Sequence, residues 1–220
     1  DHEIPGSRGS ARADRPATVR NPDGVSDFRT VRRTVGRLPR PSGRAPIGGV
    51  RPNYIAIEGV IGVGKTSLAK ALARKFNGET IEEPFEDNPF LERFYADPVP
   101  WAFQTQLFFL LSRFKQLQEA RQPSLFAGAT VCDYLFAKDT IFAHATLAED
   151  ELPLYNTIYQ LLCERVPVPD LVIYLTAPTE VLLERIARRG RSYEQEIDPD
   201  YLVKLSDLYN EYFFNYSDAP

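Results

Sequence analysis

The chain has 220 residues, of which 43% are hydrophobic and 25% charged, a composition that excludes disorder throughout and fits one globular domain with or without a tail. No run of about 18 apolar residues occurs, which excludes a helix that spans a membrane and makes a membrane partner unexpected. Two cysteines, Cys132 and Cys163, and two histidines exclude a disulfide scaffold and a Cys/His metal cluster and point to a reducing, cytoplasmic setting.

Charge divides the chain in two. Residues 1–52 hold 11 Arg, no Lys and five acids, a formal +6, whereas residues 53–220 hold 15 basic and 25 acidic side chains, a formal −10. The first stretch is rich in Arg, Pro and Gly with no sustained helical or strand period, so it reads as a disordered extension. Its five acids argue against a transit peptide. The acidic remainder disfavours nucleic acid as a partner, because gripping a phosphate backbone needs a positive surface. The chain contains no Met and opens at Asp1, so the start of an open reading frame is expected to lie further upstream.

From Asn53 the elements alternate. Tyr54–Glu58 reads as a short apolar strand, and glycines follow at once. Ser67–Phe76 then carries Leu68, Leu72 and Phe76 at helical spacing. A weak second strand is predicted at Thr80–Glu82, helices at Pro89–Tyr95 and Trp101–Ala120, and a third strand at Ala129–Asp133. Helices are then predicted at Leu135–Ala145 and Leu152–Arg165, a fourth strand at Asp170–Thr176, and helices at Pro178–Arg188 and Asp198–Tyr216. Strands 1 and 4 are continuous apolar runs, the pattern of a parallel sheet covered on both faces. The fold class is therefore α/β, a doubly wound parallel sheet, with residues 53–220 as one domain. A further parallel edge strand is expected after the last helix, and it is missing before Pro220.

Gly59, Val60, Ile61, Gly62, Val63, Gly64, Lys65 and Thr66 fulfil G-x-x-x-x-G-K-[ST] between a strand and a helix. Glycines let backbone N–H groups turn in on a polyphosphate, and the helix N-terminus that Ser67 continues adds a positive dipole end. Lys65 reaches the β and γ phosphates and Thr66 ligates Mg²⁺. The motif implies ATP and Mg²⁺ in a P-loop NTPase fold and leaves the phosphoryl acceptor open.

The remaining blocks carry a resemblance. Glu83-Pro84, Asn88 to Leu91 with Phe94-Tyr95, Trp101 to Gln106, Ser112-Arg113, Cys132 to Tyr134, Ile141 to Ala143, and Arg189 to Arg191 with Glu194-Gln195 follow the loop in order. With the P-loop they resemble the deoxynucleoside kinases, particularly the bacterial deoxyadenosine and deoxyguanosine kinase branch, over nearly all of residues 53–220. The resemblance implies transfer of the γ-phosphate of ATP to the 5′-hydroxyl of a deoxyribonucleoside. Glu83 would be the general base, a role that asks for an unpaired carboxylate. Asp133, at the carboxyl end of strand 3, would join Thr66 on the metal. Tyr95 and Glu194 would hold the sugar 3′-hydroxyl, Gln106 would read the base, and Arg113 would serve the base or steady Glu83. Arg189 and Arg191 would be lid arginines closing over the transferring phosphoryl group. Lys138 and Asp139 both fall near the expected base-recognition position. The chain departs from the family at strand 3: many members have an acid, Arg and Ser there, and Cys132, Asp133 and Tyr134 leave the arginine out. The family is commonly dimeric, and apolar helices at 101–120 and 152–165 make a homodimer the expectation. A nucleoside monophosphate kinase of thymidylate type and a non-catalytic nucleotide-binding subunit are the alternatives.

Overall fold

In the computed structural model, residues 52–120, 128–194 and 197–220 are described. The extension expected at residues 1–52 lies outside them apart from Pro52, and so does Gln195. Four strands form one parallel sheet in the order β2-β3-β1-β4: β1 (Tyr54–Gly59), β2 (Glu79–Ile81), β3 (Thr130–Cys132) and β4 (Leu171–Leu175). The helices are α1 (Lys65–Phe76), α2 (Leu91–Ala96), α3 (Pro98–Glu119), α4 (Lys138–Thr146), α5 (Glu151–Cys163), α6 (Thr179–Arg189) and α7 (Pro199–Phe214), with a 3₁₀ turn at Ser192–Glu194. The class and element order match the sequence expectation. The main shifts are α3, which begins three residues early with Pro98 in its first turn, where a missing N–H costs nothing, and α4, which begins three residues late.

Alternation along β1 explains the two-sided cover. Ile55 and Ile57 pack with Ala69 and Ala73 of α1, while Ala56 faces Leu135 and Tyr212 on the other side. The outer edge of β4 is not bare, since the Val172 N–H donates to the Pro220 carbonyl at 2.9 Å. No helix among the described residues is long and apolar enough to cross a membrane.

Strand order bears on the site: β3 lies between β1 and β2, and therefore Asp133 stands between Glu83 and the P-loop.

Beneath the sheet's carboxyl edge sits Glu58, fully buried at the end of β1. Its Oε1 accepts from the Gly59 N–H at 2.9 Å and the Tyr209 hydroxyl at 3.0 Å, and its Oε2 accepts from the Leu135 N–H at 2.8 Å. One carboxylate thus fixes the start of the P-loop, the segment after β3 and α7. Removing it in Glu58→Ala strands three buried donors and should lower the unfolding free energy by about 2–4 kcal/mol, against about 1 kcal/mol for Tyr209→Phe, as read by urea denaturation.

Candidate active site

The P-loop follows β1 and is shaped by glycines that no other residue could replace. A Cβ on Gly59 would lie 2.4 Å from the Leu175 carbonyl oxygen, and one on Gly62, at φ +83°, would meet the Ile186 side chain at 2.9 Å. Gly64, also left-handed, precedes Lys65, and no side chain caps α1, so its first-turn N–H groups at Thr66 and Ser67 remain available to an anion. Lys65 Nζ donates to the carbonyls of Gly59 at 2.7 Å and Val60 at 3.3 Å. Burial, and after it the Lys138 ammonium, pulls the Lys65 amine down to about 8 against the opposing pull of Glu58, Glu83 and Asp133. From α6, Arg185 braces the loop by donating to the Val63 carbonyl at 2.8 Å.

Asp133 connects loop and acid. Its Oδ2 accepts from the Thr66 hydroxyl and its Oδ1 from the Glu83 backbone N–H at 2.8 Å. Burial raises the Asp133 carboxyl above its ordinary value, and the Glu83 charge adds to this against the Thr66 bond. Glu82, pointing the other way as alternation requires, pairs with Lys70 at the surface.

Glu83 corrects an expectation, because it is not unpaired. Its Oε1 accepts from Arg113, through Nε at 2.9 Å and through Nη2, and its Oε2 accepts from Lys138 Nζ at 2.7 Å. Burial alone would push its carboxyl up, but Arg113, then Lys138, then Lys65 outweigh it and hold it well below the usual carboxylate range. Of the two roles left open for Arg113, steadying Glu83 is the one its contacts describe. Arg113 also bonds Asp139 through Nη1, and its guanidinium lies 4.7 Å from the Phe109 ring centre. Asp139 is fully buried; burial lifts its carboxyl to about 7 despite Arg113, and its Oδ2 has no partner among the described residues.

Apart from Asp139 and Glu58, these charged side chains line a cavity of about 1010 Å³. Gln106, 2% exposed on α3, lines its wall, as do Tyr95 and Glu194. The Tyr95 ring packs on Tyr193 at 5.5 Å, and burial, with Tyr201 and Glu194 adding to it, keeps its phenol protonated. Glu194 takes two arginines: Arg189 through Nη2 onto Oε2, and Arg191 through Nη1 onto Oε1 at 3.3 Å. Arg191 also stacks over Phe85 at 3.5 Å.

Comparison with known proteins decides what this cavity belongs to. A family model described as Deoxynucleoside kinase matches residues 55–220. The chain belongs to the deoxynucleoside kinase family. It is 44% identical over 157 residues to a deoxyguanosine kinase of Bacillus subtilis, covering 71% of this chain and 76% of that one. It is 37% identical over 164 residues to a deoxyadenosine kinase of Dictyostelium discoideum, covering 72% and 66%. A solved structure of deoxyadenosine kinase from M. mycoides with the products dCMP and a flexible dCDP bound superimposes with a TM-score of 0.67 at 30% identity, over 73% of this chain and 83% of that one. The protein is thus an enzyme, a deoxynucleoside kinase, and the monophosphate kinase alternative is not favoured.

Every predicted site residue of this kinase lies on the cavity wall apart from Gly59, which anchors the loop behind it. Three contributors were not assigned these places from sequence. Arg185 was legible only as one of a run of arginines, Lys138 was placed with the base site rather than on Glu83, and Glu58 reads as an ordinary strand residue until its three donors are seen. With Lys65 titrating near 8, triphosphate affinity of the free kinase should fall as pH rises through that value, because the loop binds an anion with the protonated amine. Calorimetric titration with ATP should give a dissociation constant up to about tenfold weaker at pH 9 than at pH 7.

Proposed function

We propose that this kinase transfers the γ-phosphate of ATP to the 5′-hydroxyl of a purine deoxyribonucleoside, with Glu83 accepting the hydroxyl proton. The observation that carries the reading is the span Thr66–Asp133–Glu83, in which one carboxylate binds the first turn of the phosphate loop on one oxygen and the backbone of the base on the other. Donor cradle and acceptor base are thereby held at a fixed separation, which is what an in-line transfer needs.

ATP lies with its phosphates against Gly62, Val63, Gly64, Lys65, Thr66 and Ser67. The nucleoside lies across the cavity, with its sugar at Tyr95 and Glu194 and its base at Gln106. Thr66 and Asp133 suit Mg²⁺: both offer oxygen, and a single carboxylate with a hydroxyl matches an ion that takes its other ligands from substrate phosphates and water. When bound, that ion supplies neutralisation of the phosphate charge. Glu83, held low by Arg113 and Lys138, is ionised at every working pH and takes the proton late, as the new P–O bond forms. Arg189 and Arg191 leave Glu194 to stabilise the charge that spreads over the moving phosphoryl group. The purine preference is supported by the names of the relatives, deoxyguanosine and deoxyadenosine kinases.

Residues 53–220 are read as one catalytic domain, with 1–52 as an Arg-, Pro- and Gly-rich extension. The free, buried cysteines Cys132 and Cys163 fit a cytoplasmic setting, and the acidic charge of the domain fits a small-molecule substrate better than nucleic acid. A homodimer is supported by Leu111 of α3 and by Leu154 and Leu161 of α5, which are 47%, 56% and 67% exposed. Sedimentation equilibrium at micromolar concentration should return twice the mass of the chain, and a single monomeric species would overturn the dimer.

Glu83→Gln should lower kcat by a factor of about 10²–10⁴ while ATP affinity changes little. A panel of the four deoxynucleosides and their monophosphates, with ATP and Mg²⁺, should show turnover of deoxyguanosine or deoxyadenosine and none of the monophosphates. Unchanged kcat in the Gln variant would remove Glu83 from the mechanism.

A further inference from the structure

The residue after the strand-3 acid is Tyr134, which carries no positive charge. It is fully buried, its hydroxyl donates to Gln116 Oε1 at 2.6 Å, and burial holds its phenol in the neutral form. A transfer that gathers negative charge beside Glu83 and Asp133 still calls for positive charge at this edge of the sheet.

Lys138 is placed to provide it. It is the first residue of α4, five positions beyond Asp133, and is 5% exposed. Its ammonium lies 2.7 Å from Glu83 Oε2 and 5.3 Å from the centre of the Phe142 ring one turn further along the helix. It lines the same cavity as Lys65, Thr66 and Asp133. Among the described residues Glu83 Oε2 is the one oxygen that accepts from it, so two of its three N–H donors are uncommitted. Glu83 does not need this cation for neutralisation alone, since Arg113 already closes on its other oxygen in a two-donor contact. Arg113 in turn is committed to Asp139 as well as to Glu83, whereas Lys138 lines the cavity with N–H donors to spare.

We propose that Lys138 supplies the positive charge at this edge of the sheet, orienting Glu83 with one N–H and offering the others to the oxygens of the transferring phosphoryl group. The lysine reaches this point from the start of α4 rather than from the end of β3. A buried tyrosine can therefore occupy the β3 position and pack in the core without loss of charge at the reaction centre. The proposal rests on the assignment of Glu83 as the base.

The test uses the full chain and measures kcat and both KM values, with deoxyguanosine or deoxyadenosine as acceptor, for Lys138→Met, Lys138→Gln, Lys138→Arg and Glu83→Gln. Near-ultraviolet circular dichroism checks folding. The Met and Gln variants should lose kcat by about 10²–10³, the usual cost of removing one stabilising donor, with nucleoside KM within about threefold of the parent. Lys138→Arg should recover to within about tenfold of the parent, because charge rather than shape is what matters. A Met or Gln variant that keeps kcat within threefold, a loss seen wholly in KM, or an Arg variant as inactive as the Met variant would each overturn the role of Lys138. If Lys138→Met does not fold, Lys138→Gln and Lys138→Arg decide by the same comparison. An active Glu83→Gln variant defeats the base assignment instead, whatever the lysine variants do, so the two failures are separable.

Discussion

The site depends on the Asp133 carboxylate being shared between two partners, Thr66 and Glu83, that the sequence separates by 17 residues. Because β3 lies between β1 and β2, the residue that follows it has the P-loop on one side and the end of β2 on the other, and each of its oxygens takes one of them. Elsewhere in an α/β protein the loops at the carboxyl edge are free to vary independently. Here a hydroxyl and a backbone amide are bound to the same side chain. Any movement of the phosphate loop is therefore passed to Glu83, the acid proposed as the base, and this is the rigidity that positioning chemistry requires. Deeper in the sheet Glu58 has a matching role, tying the loop's first residue to the segment after β3 and to α7.

Around that bridge the charges are arranged for position more than for stability. Arg113, Lys138 and Lys65 stand beside Glu83, Asp133 and Asp139, three cations with three carboxylates, all shifted or paired through one another. Desolvating such groups costs about as much as their attraction returns, so a cluster of this kind adds little to folding. What it does is remove freedom: Glu83 is gripped on both oxygens, and its proton affinity is set by its neighbours rather than by solvent. An arriving triphosphate changes the balance, since every added negative charge competes for Lys65 and Lys138.

The two arginines proposed as a lid show the same sharing of contacts. Arg189 and Arg191 both rest on Glu194, the carboxylate that reads the sugar in the proposed complex. In that complex a 3′-hydroxyl donating to Glu194 would compete with the arginines for the same oxygens and so couple acceptor binding to delivery of positive charge.

Much of this was written locally in the chain. The glycines at 59, 62 and 64 with Lys65 and Thr66 define the phosphate loop because the backbone conformations they require are open to few other residues, and apolar periodicity set the strands and helices to within a few residues. Glu83, Tyr95, Gln106, Arg113, Asp133, Arg189, Arg191 and Glu194 could each be placed because ordered blocks of residues accompany them. The sequence could not show which charges meet. The intervention of β3 between β1 and β2, the double hold on Glu83, the turn of Lys138 toward it and the burial of Glu58 all follow from strand order and helix packing. Hydrophobic patterning says which face of an element is buried and not which element lies beside it, whereas the strength and partners of an ion pair depend on that neighbour and on the water it excludes.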